Sequence, residues 1–373
     1  MTDSAGMSPR FDPLAHTRGD GPAFDVFLQG TVFLDIIFSG LEAMPLAGQE
    51  VWAEGMGSCP GGIANLAVAT ARLGLRTSLG AAFGDDDYGE FCWRTLESQE
   101  NVDLSTSRRY PGWHSPVTVS MAFGGDRNMV THGHDAPESA SVMIDRPPPS
   151  RAVLLDLASS DAMGTDDDPG WGRLAHEDGA LLFADIGHDS TGRWDTEVLR
   201  PLSICHAFMP NAQEAMAYTG TRTPQEAVYA LADLVPLAVV TNGANGALAY
   251  DSTTGEEASV PALQVPAIDA TGAGDVFGAA VTLGTLAGWP LRQRLAFGAL
   301  CSALAVQEFG GSLAAPGWGD IADWWHRLRD CSSTDAYHRA ARHRYEFLED
   351  LAPDEPSGGV RRAAATIARL SDA

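Results

Sequence analysis

The sequence predicts an α/β protein of three layers, helix–sheet–helix, around a mostly parallel central sheet. Three observations carry that expectation. Short apolar strand patterns alternate with helical patterns along most of the chain. The spacing suits repeated strand–helix–strand units, which pack helices on both faces of a sheet. Glycine-rich segments stand at the strand–helix junctions, and such sheets bind ligands beyond the carboxyl ends of their strands.

Residues 1–23 are polar, contain Gly and Pro, and read as a disordered tail without the apolar core of a signal peptide. Phe24 to Gln29 is an apolar strand ending at Gly30, with Asp35 near the end of this first strand region. Ile63 to Leu73 has helical spacing and ends at Gly74, a C-cap residue. Thr77 to Phe83 reads as a strand and Tyr88 to Gln99 as an amphipathic helix. Between them, Gly84-Asp-Asp-Asp87 supplies a capping aspartate. Val117 to Phe123 and Arg127 to Thr131 alternate like a β-hairpin across Gly124-Gly125-Asp126. Val153–Leu157, Leu181–Asp185, Ala207–Met209 and Leu237–Thr241 are strands, separated by helices such as Gln213–Tyr218 and Pro224–Leu234. Asp166 to Asp168 read as a solvated turn. Ala262 to Ile268 is an extended apolar run read as a strand, and Val276 to Leu286 a helix of small residues. The body is therefore expected over 24–318. After it the composition shifts to a helical extension, 319–373, pinned by Trp324 and Trp325.

Composition narrows the functional classes. The 373 residues carry a formal charge of −25, with arginine as the only cationic residue besides histidine, since the chain has no lysine. A phosphate backbone demands a basic surface, so nucleic acid is excluded as a partner. No apolar run approaches the ~18 residues of a membrane span. With no signal peptide, a cytoplasmic location is expected. The five cysteines include no C-x-x-C pair and read as reduced, mostly buried thiols. His132 and His134 form an H-x-H pair with no carboxylate or cysteine at ligand spacing, so surface or lid histidines are expected.

The segment Asp269-Ala-Thr-Gly-Ala-Gly-Asp275 carries the most chemistry. Its glycine-rich turn opens a helix, so the N–H groups of Ala273, Gly274 and Asp275 and the helix dipole face one point, an anion site. Asp275 stands there as a base. It is not a Walker A loop, which ends in Lys-Ser/Thr, nor a dinucleotide fingerprint, because Gly278 comes one residue late. An ordinary turn with an acidic cap remains the alternative. Gly61-Gly62-Ile-Ala-Asn65 is a second close-approach element, or a tight turn. Asn211 and Glu214 share a helical face. They hold either a hydrated Mg²⁺ or a capping box. Thr241, Gly243 and Gly246 mark a strand end, or a β-turn.

In order along the chain these elements resemble the ribokinase or PfkB family of carbohydrate kinases. The family shows a glycine with an acid five residues later (Gly30, Asp35). It shows a Gly pair leading to Ala-Asn (Gly61, Gly62, Ala64, Asn65), N-x-x-E (Asn211, Glu214) and T-x-G-x-x-G (Thr241, Gly243, Gly246). Last comes D-T-T-G-A-G-D, matched in all but one position by Asp269 to Asp275. The resemblance spans Phe24 to Pro316. It implies a ribokinase-like fold with a small β-lid, for which 36–53 and 116–132 are the candidate segments. It implies ATP-dependent transfer of the γ-phosphate to a hydroxyl of a sugar or related polyol. Asp275 is then the general base, and Gly272, Ala273 and Gly274 shape the anion hole. Asp35, Gly61, Gly62 and Asn65 hold the substrate. Asn211 and Glu214 position Mg²⁺ and phosphates. Thr241, Gly243, Gly246 and Thr271 serve the nucleotide. Asp269 and Thr271 match a K⁺ site of some members, and the arrangement admits a homodimer through the lid. The position of a substrate-contacting glutamate in several sugar kinases aligns with Ala158, which weakens the case for ribose. A nucleoside substrate, with Phe33, Trp52 and Phe123 as walls for a base, and a non-catalytic binding relative are the alternatives.

Overall fold

The computed structural model describes residues 11–123, 126–158, 162–165, 169–187, 189, 191–308, 310–353 and 370–371. The chain enters through β1 (Phe24–Gln29), whose Asp25 to Leu28 are fully buried, as a central parallel strand requires. It leaves through β2 (Val32–Ser39) and β3 (Gly55–Gly62) and returns by α1 (Ala64–Arg72) to β4 (Thr77–Gly80) and β5 (Ala82–Gly84). Helix α2 (Asp87–Arg94) starts at Asp86, whose carboxylate accepts from the Gly89 N–H at 2.6 Å. β6 (Arg108–Tyr110) pairs with β5, and β7 (Val117–Phe123) with β8 (Asp126–His132) forms an antiparallel hairpin. Alternation then resumes with α3 (Ala140–Ile144), β9 (Ser150–Asp156), α4 (Trp171–Glu177), β10 (Leu181–Asp185) and β11 (Ala207–Phe208). Helices α5 (Ala212–Thr219) and α6 (Pro224–Ala232) both begin in capping boxes, and Pro224 takes the first helical turn, where it removes no needed N–H. β12 (Leu237–Thr241), β13 (Ala247–Asp251) and β14 (Glu256–Val260) lead to α7 (Ala273–Leu286), α8 (Leu291–Ala305), α9 (Trp318–Asp330), α10 (Ala336–Tyr345) and β15 (Leu370–Ser371).

Among the described residues the central sheet runs β14-β13-β12-β11-β10-β9-β1-β4. It is parallel from β4 to β12, and β13 and β14 close it antiparallel. Alternation of side chains divides its core in two. Leu28, Leu154 and Val239 face a cluster with α1, α7 and α8, whereas Phe27, Val153 and Val240 face one with α4, α5 and α6. Helix α7 is buried on nearly its whole circumference, and Gly298 of α8 makes room for it. A Cβ there would stand 2.8 Å from the Phe277 ring. The lid is a second sheet, ordered β15-β3-β2-β7-β8.

Several expectations need correction. Ala262 to Ile268 is extended but pairs with no strand, so α7 follows a coil. Asp35 lies on β2, the first lid strand, and Gly61-Gly62 end β3 directly before α1 begins. The candidate segment 116–132 holds lid strands β7 and β8, but around 36–53 the strands are 32–39 and 55–62, and 40–54 is the irregular segment between them. Residues 11–23, expected within a disordered tail, are anchored to the body at three points. Leu14 is fully buried, Phe11 stands edge-on to Trp318 at 4.9 Å, and Arg18 bonds the buried Asp25 at 2.7 Å. Residues 1–10, the hairpin tip Gly124-Gly125, Asp166 to Asp168 and 354–369 lie outside the described residues.

One buried ion pair ties the end of α1 to the segment that leads into the C-terminal helices. Arg72, at the end of α1, bonds Glu100 through two nitrogens at 2.8 and 2.7 Å. Its remaining Nη1 donates to the carbonyls of Leu313 and Ala315 at 2.8 and 2.6 Å. Both side chains are buried. Such a pair adds little over an apolar replacement, but removing one partner strands a charge. Arg72→Met is therefore expected to destabilise the protein by about 3–5 kcal/mol, read as a lower urea midpoint. A change below about 1 kcal/mol, the range of a solvated pair, would refute this account.

Candidate active site

Helix α7 sets the centre of the site. Asp269 Oδ1 accepts from the Thr271 N–H at 2.9 Å and from its hydroxyl at 2.6 Å, a turn that aims the chain at Gly272. Gly272 has φ 75°, the left-handed region that favours glycine, and caps the helix. Ser302 Oγ donates to the Ala273 carbonyl at 2.8 Å and holds this turn against α8. One expected donor is otherwise engaged, because the Ala273 N–H bonds the Ala270 carbonyl at 3.2 Å. The first-turn donors that helix geometry turns toward a ligand are therefore those of Gly274 and Asp275.

Asp275 is half-buried, and its Oδ2 accepts from Asn65 Nδ2 at 3.1 Å. Asn65 rises from the first turn of α1, and a Cβ on Gly272 would lie 3.4 Å from its amide carbon. The two helix beginnings therefore fit together through a glycine on one side and an amide on the other. The glycine pair has a separate task. Gly61 leaves room for the Asp35 carboxylate, since a Cβ would meet it at 1.9 Å. Gly62 has φ 63°, and a Cβ there would stand 2.3 Å from the Thr31 carbonyl. Burial, with Asp35 adding, pushes the neighbouring Cys59 thiol up to about 12, so it stays protonated and inert, as expected of a buried cysteine.

Two cavities meet at α7. The first, about 400 Å³, is lined by Gln29, Gly30, Phe33, Gly62, Asp156 and Asp185 together with Gly274 and Asp275. The second, about 310 Å³, is lined by Thr241, Gly243 and Gly246 and by an apolar wall from α8 and 262–267. Gly274 and Phe277 line both. The predicted set therefore divides. Gly62, Gly274 and Asp275 reach the first cavity, and Thr241, Gly243 and Gly246 the second. Asn65 touches Asp275 from behind. Asp35, Gly61, Asn211, Glu214, Asp269 and Thr271 are absent from both linings.

Asn211 and Glu214 make a capping box. Glu214 N–H donates to Asn211 Oδ1, and Asn211 N–H to Glu214 Oε2, each at 3.0 Å. That arrangement engages the amide oxygen expected to face a metal. Asn211 also bridges to Thr241, which fixes the cap beside the end of β12.

Two carboxylates had not been singled out. Asp156 and Asp185 end β9 and β10 in matching register and face the first cavity. Desolvation, then the Asp275 carboxylate, push Asp185 well above the ordinary carboxylate range. Glu214 and Asp156 add to this, and the Ile186 N–H at 2.8 Å opposes it. Asp156 opens to the cleft but is enclosed by its walls, and desolvation raises it as well. The available signal was their position, acids at the carboxyl ends of two adjacent parallel strands.

The family model for pfkB family carbohydrate kinases matches residues 40–317. Fructokinase of Klebsiella pneumoniae is 30% identical over 283 residues, 70% of this chain and 91% of that protein. Aminoimidazole riboside kinase of Salmonella typhimurium is 29% identical over 69% of this chain and 85% of that protein. Arabidopsis thaliana ribokinase, solved with ribose and ATP, has the same fold, with a TM-score of 0.64 at 21% identity over 80% of this chain and 96% of that one. A ribokinase-II-like protein of Escherichia coli, solved with ATP and Mg²⁺, gives a TM-score of 0.68 at 20% identity over 81% of this chain and 99% of that one. The chain belongs to the pfkB family of carbohydrate kinases.

Proposed function

We propose that this kinase transfers the γ-phosphate of ATP to a hydroxyl of a sugar-like substrate held in the first cavity, with the nucleotide in the second. The observation that carries the reading is that Gly274 lines both cavities while the neighbouring Asp275 carboxylate faces the first. Donor and acceptor then meet at the start of α7. Asp275 takes the proton of the attacking hydroxyl, the O–P bond to the acceptor forms, and ADP leaves. The Gly274 and Asp275 N–H groups face the charge that develops on the phosphoryl. The Asn65 amide holds the Asp275 carboxylate in place. Mg²⁺, bound with the nucleotide, screens the phosphate charge. Asp275, Glu214 and Asp156 all act electrostatically on Asp185, and such a carboxylate group would favour a nearby dication. The capping box leaves Asn211 a part in shaping the strand end rather than as a direct Mg²⁺ ligand.

Within this reading a furanoside carrying a base-like substituent is the second candidate. A further cavity of about 400 Å³ shares Gln29, Gly30, Thr31 and Phe33 with the first and extends beneath the lid hairpin. Its Phe33 wall suits a planar ring. Trp52 is 86% exposed on the 40–54 segment, and the Phe123 side chain lies outside the described residues. A homodimer through the lid is supported by Met129 and Val130, 56% and 64% exposed on its outer strand β8. K⁺ binding is supported by Asp269 Oδ2, a buried oxygen without a hydrogen-bond partner.

An ADP-release screen over sugars, sugar phosphates and nucleosides identifies the acceptor. On it, Asp275→Asn is expected to lower kcat by about 10²- to 10⁴-fold with little change in Tm. Near-normal turnover would remove Asp275 as the base.

Asp185 gives a pH prediction. A carboxyl raised in the folded state contributes stability that is present below its unfolded pKa and lost as pH rises through the folded value. Asp185→Asn is therefore expected to raise Tm of the ligand-free protein at neutral pH, and the gain should vanish in acid. A gain that is flat with pH would contradict this. Replacing Na⁺ by K⁺ should raise kcat/KM several-fold, and Asp269→Ala should abolish the difference. Equal rates in the two salts would count against the cation site.

A further inference from the structure

The H-x-H pair of the lid has a third member that its spacing did not disclose. His114 comes from the segment preceding β7, His132 is the last residue of β8, and His134 follows it. Strand pairing sets Val117 opposite His132 at the foot of the hairpin, which carries the three rings to one place. The His114 and His132 rings stack at 5.1 Å with 12° between planes, and His134 stands edge-on to them at 5.1 and 5.3 Å. A nitrogen of each ring lies within 4.8 Å of one of each other ring.

This place is built by the backbone. Gly133 packs against Pro116, and a Cβ on it would meet the proline at 2.5 Å. Trp113 Nε1 donates to the Asp135 carbonyl at 3.0 Å. The Ser115 N–H bonds Asp86 at 2.9 Å, and the Ser115 hydroxyl accepts from the Gly84 N–H at 2.9 Å. The segment bearing His114 is thus tied both to the body and to the chain bearing the other two histidines. His114 Nδ1 lies 3.2 Å from the Ser115 carbonyl, which accepts only a proton-bearing nitrogen. That contact directs the Nε2 lone pair outward, the arrangement in which a backbone carbonyl orients a metal-binding imidazole.

We propose that His114, His132 and His134 bind one transition-metal dication of the Zn²⁺ class at the foot of the lid hairpin. Imidazole favours Zn²⁺, Ni²⁺ or Cu²⁺ over the hard Mg²⁺, so this site is chemically separate from that of the nucleotide's metal. Bonds of ~2.0–2.1 Å to Zn²⁺ need ligand nitrogens roughly 3.4 Å apart, so the rings need close by at most about 1.4 Å. His132 and His134 are exposed, and rotation about their side-chain torsions can supply that movement. The formal charge of −25 draws cations toward the surface. Three protein ligands leave the fourth position to water. Bound metal joins the segment entering β7 to the one leaving β8, and so fixes the hairpin at its root. His134 also lines the cavity beneath the lid, so the metal stands at the rim of the space next to the substrate.

The test is competition for Zn²⁺ between the metal-free full chain and a chromophoric indicator. The wild-type chain is expected to take one Zn²⁺ from the indicator in the presence of excess Mg²⁺. His132→Ala and His134→Ala should each weaken uptake by at least about tenfold, the double substitution should abolish it, and the distant His338→Ala should leave it unchanged. His132 and His134 are exposed and His338 is partly exposed, and the metal-free Tm values of the variants verify folding. Wild-type Tm should rise with Zn²⁺ and that of the double variant should not. Failure of the wild type to bind one equivalent, or undiminished uptake by either single variant, would overturn the site.

Discussion

The hydrogen bond from Asn65 to Asp275 joins residues 210 positions apart and sets the geometry of the centre. It exists because two helices begin side by side. Helix α1 starts directly after the lid strand β3, and α7 starts from the left-handed Gly272. A Cβ at Gly61 or Gly62 would collide with Asp35 or with the Thr31 carbonyl, whereas Gly272 is required by its left-handed φ. Small residues are needed here for reach, not for mobility. The same packing that lets the carboxylate approach the cavity also buries α7, so the geometry of the proposed site and the core are one construction.

Electrostatics explains why the anion site is made of main chain. The protein carries a formal charge of −25, and neither lining at α7 contains an arginine. Arginines with buried or half-buried partners serve the fold. Arg72 closes the joint with Glu100, while Arg18, Arg76 and Arg151 surround the buried Asp25. On the proposed reading, phosphate charge would be met by amide dipoles at a helix start and by the nucleotide's cation, neither of which depends on a long flexible side chain.

The parallel architecture was legible because hydrophobic alternation and glycine punctuation are local, and β1, β9, β10 and β12 lie close to where those signals put them. The core of the site was legible as an ordered series of glycine motifs. What stayed hidden depended on pairing between distant segments. Asp35 moved to the lid because Gly30 and Thr31 separate two strands, not one. Asp156 and Asp185 gain their meaning from strand register, and His114 from the foot of a hairpin. Asn211 and Glu214 satisfied two readings equally until bonding geometry favoured the cap. The run before α7 had strand composition but no partner, a distinction that composition does not contain.

The parallel strands have a thermodynamic corollary. Their carboxyl ends all point to one margin of the sheet, so the pocket draws on segments far apart in the chain, from Gln29 to Gly278. Occupying that pocket therefore clamps the entire cooperative unit, from the first strand to the helices behind it. Ligand affinity and global resistance to heat become two readings of the same equilibrium.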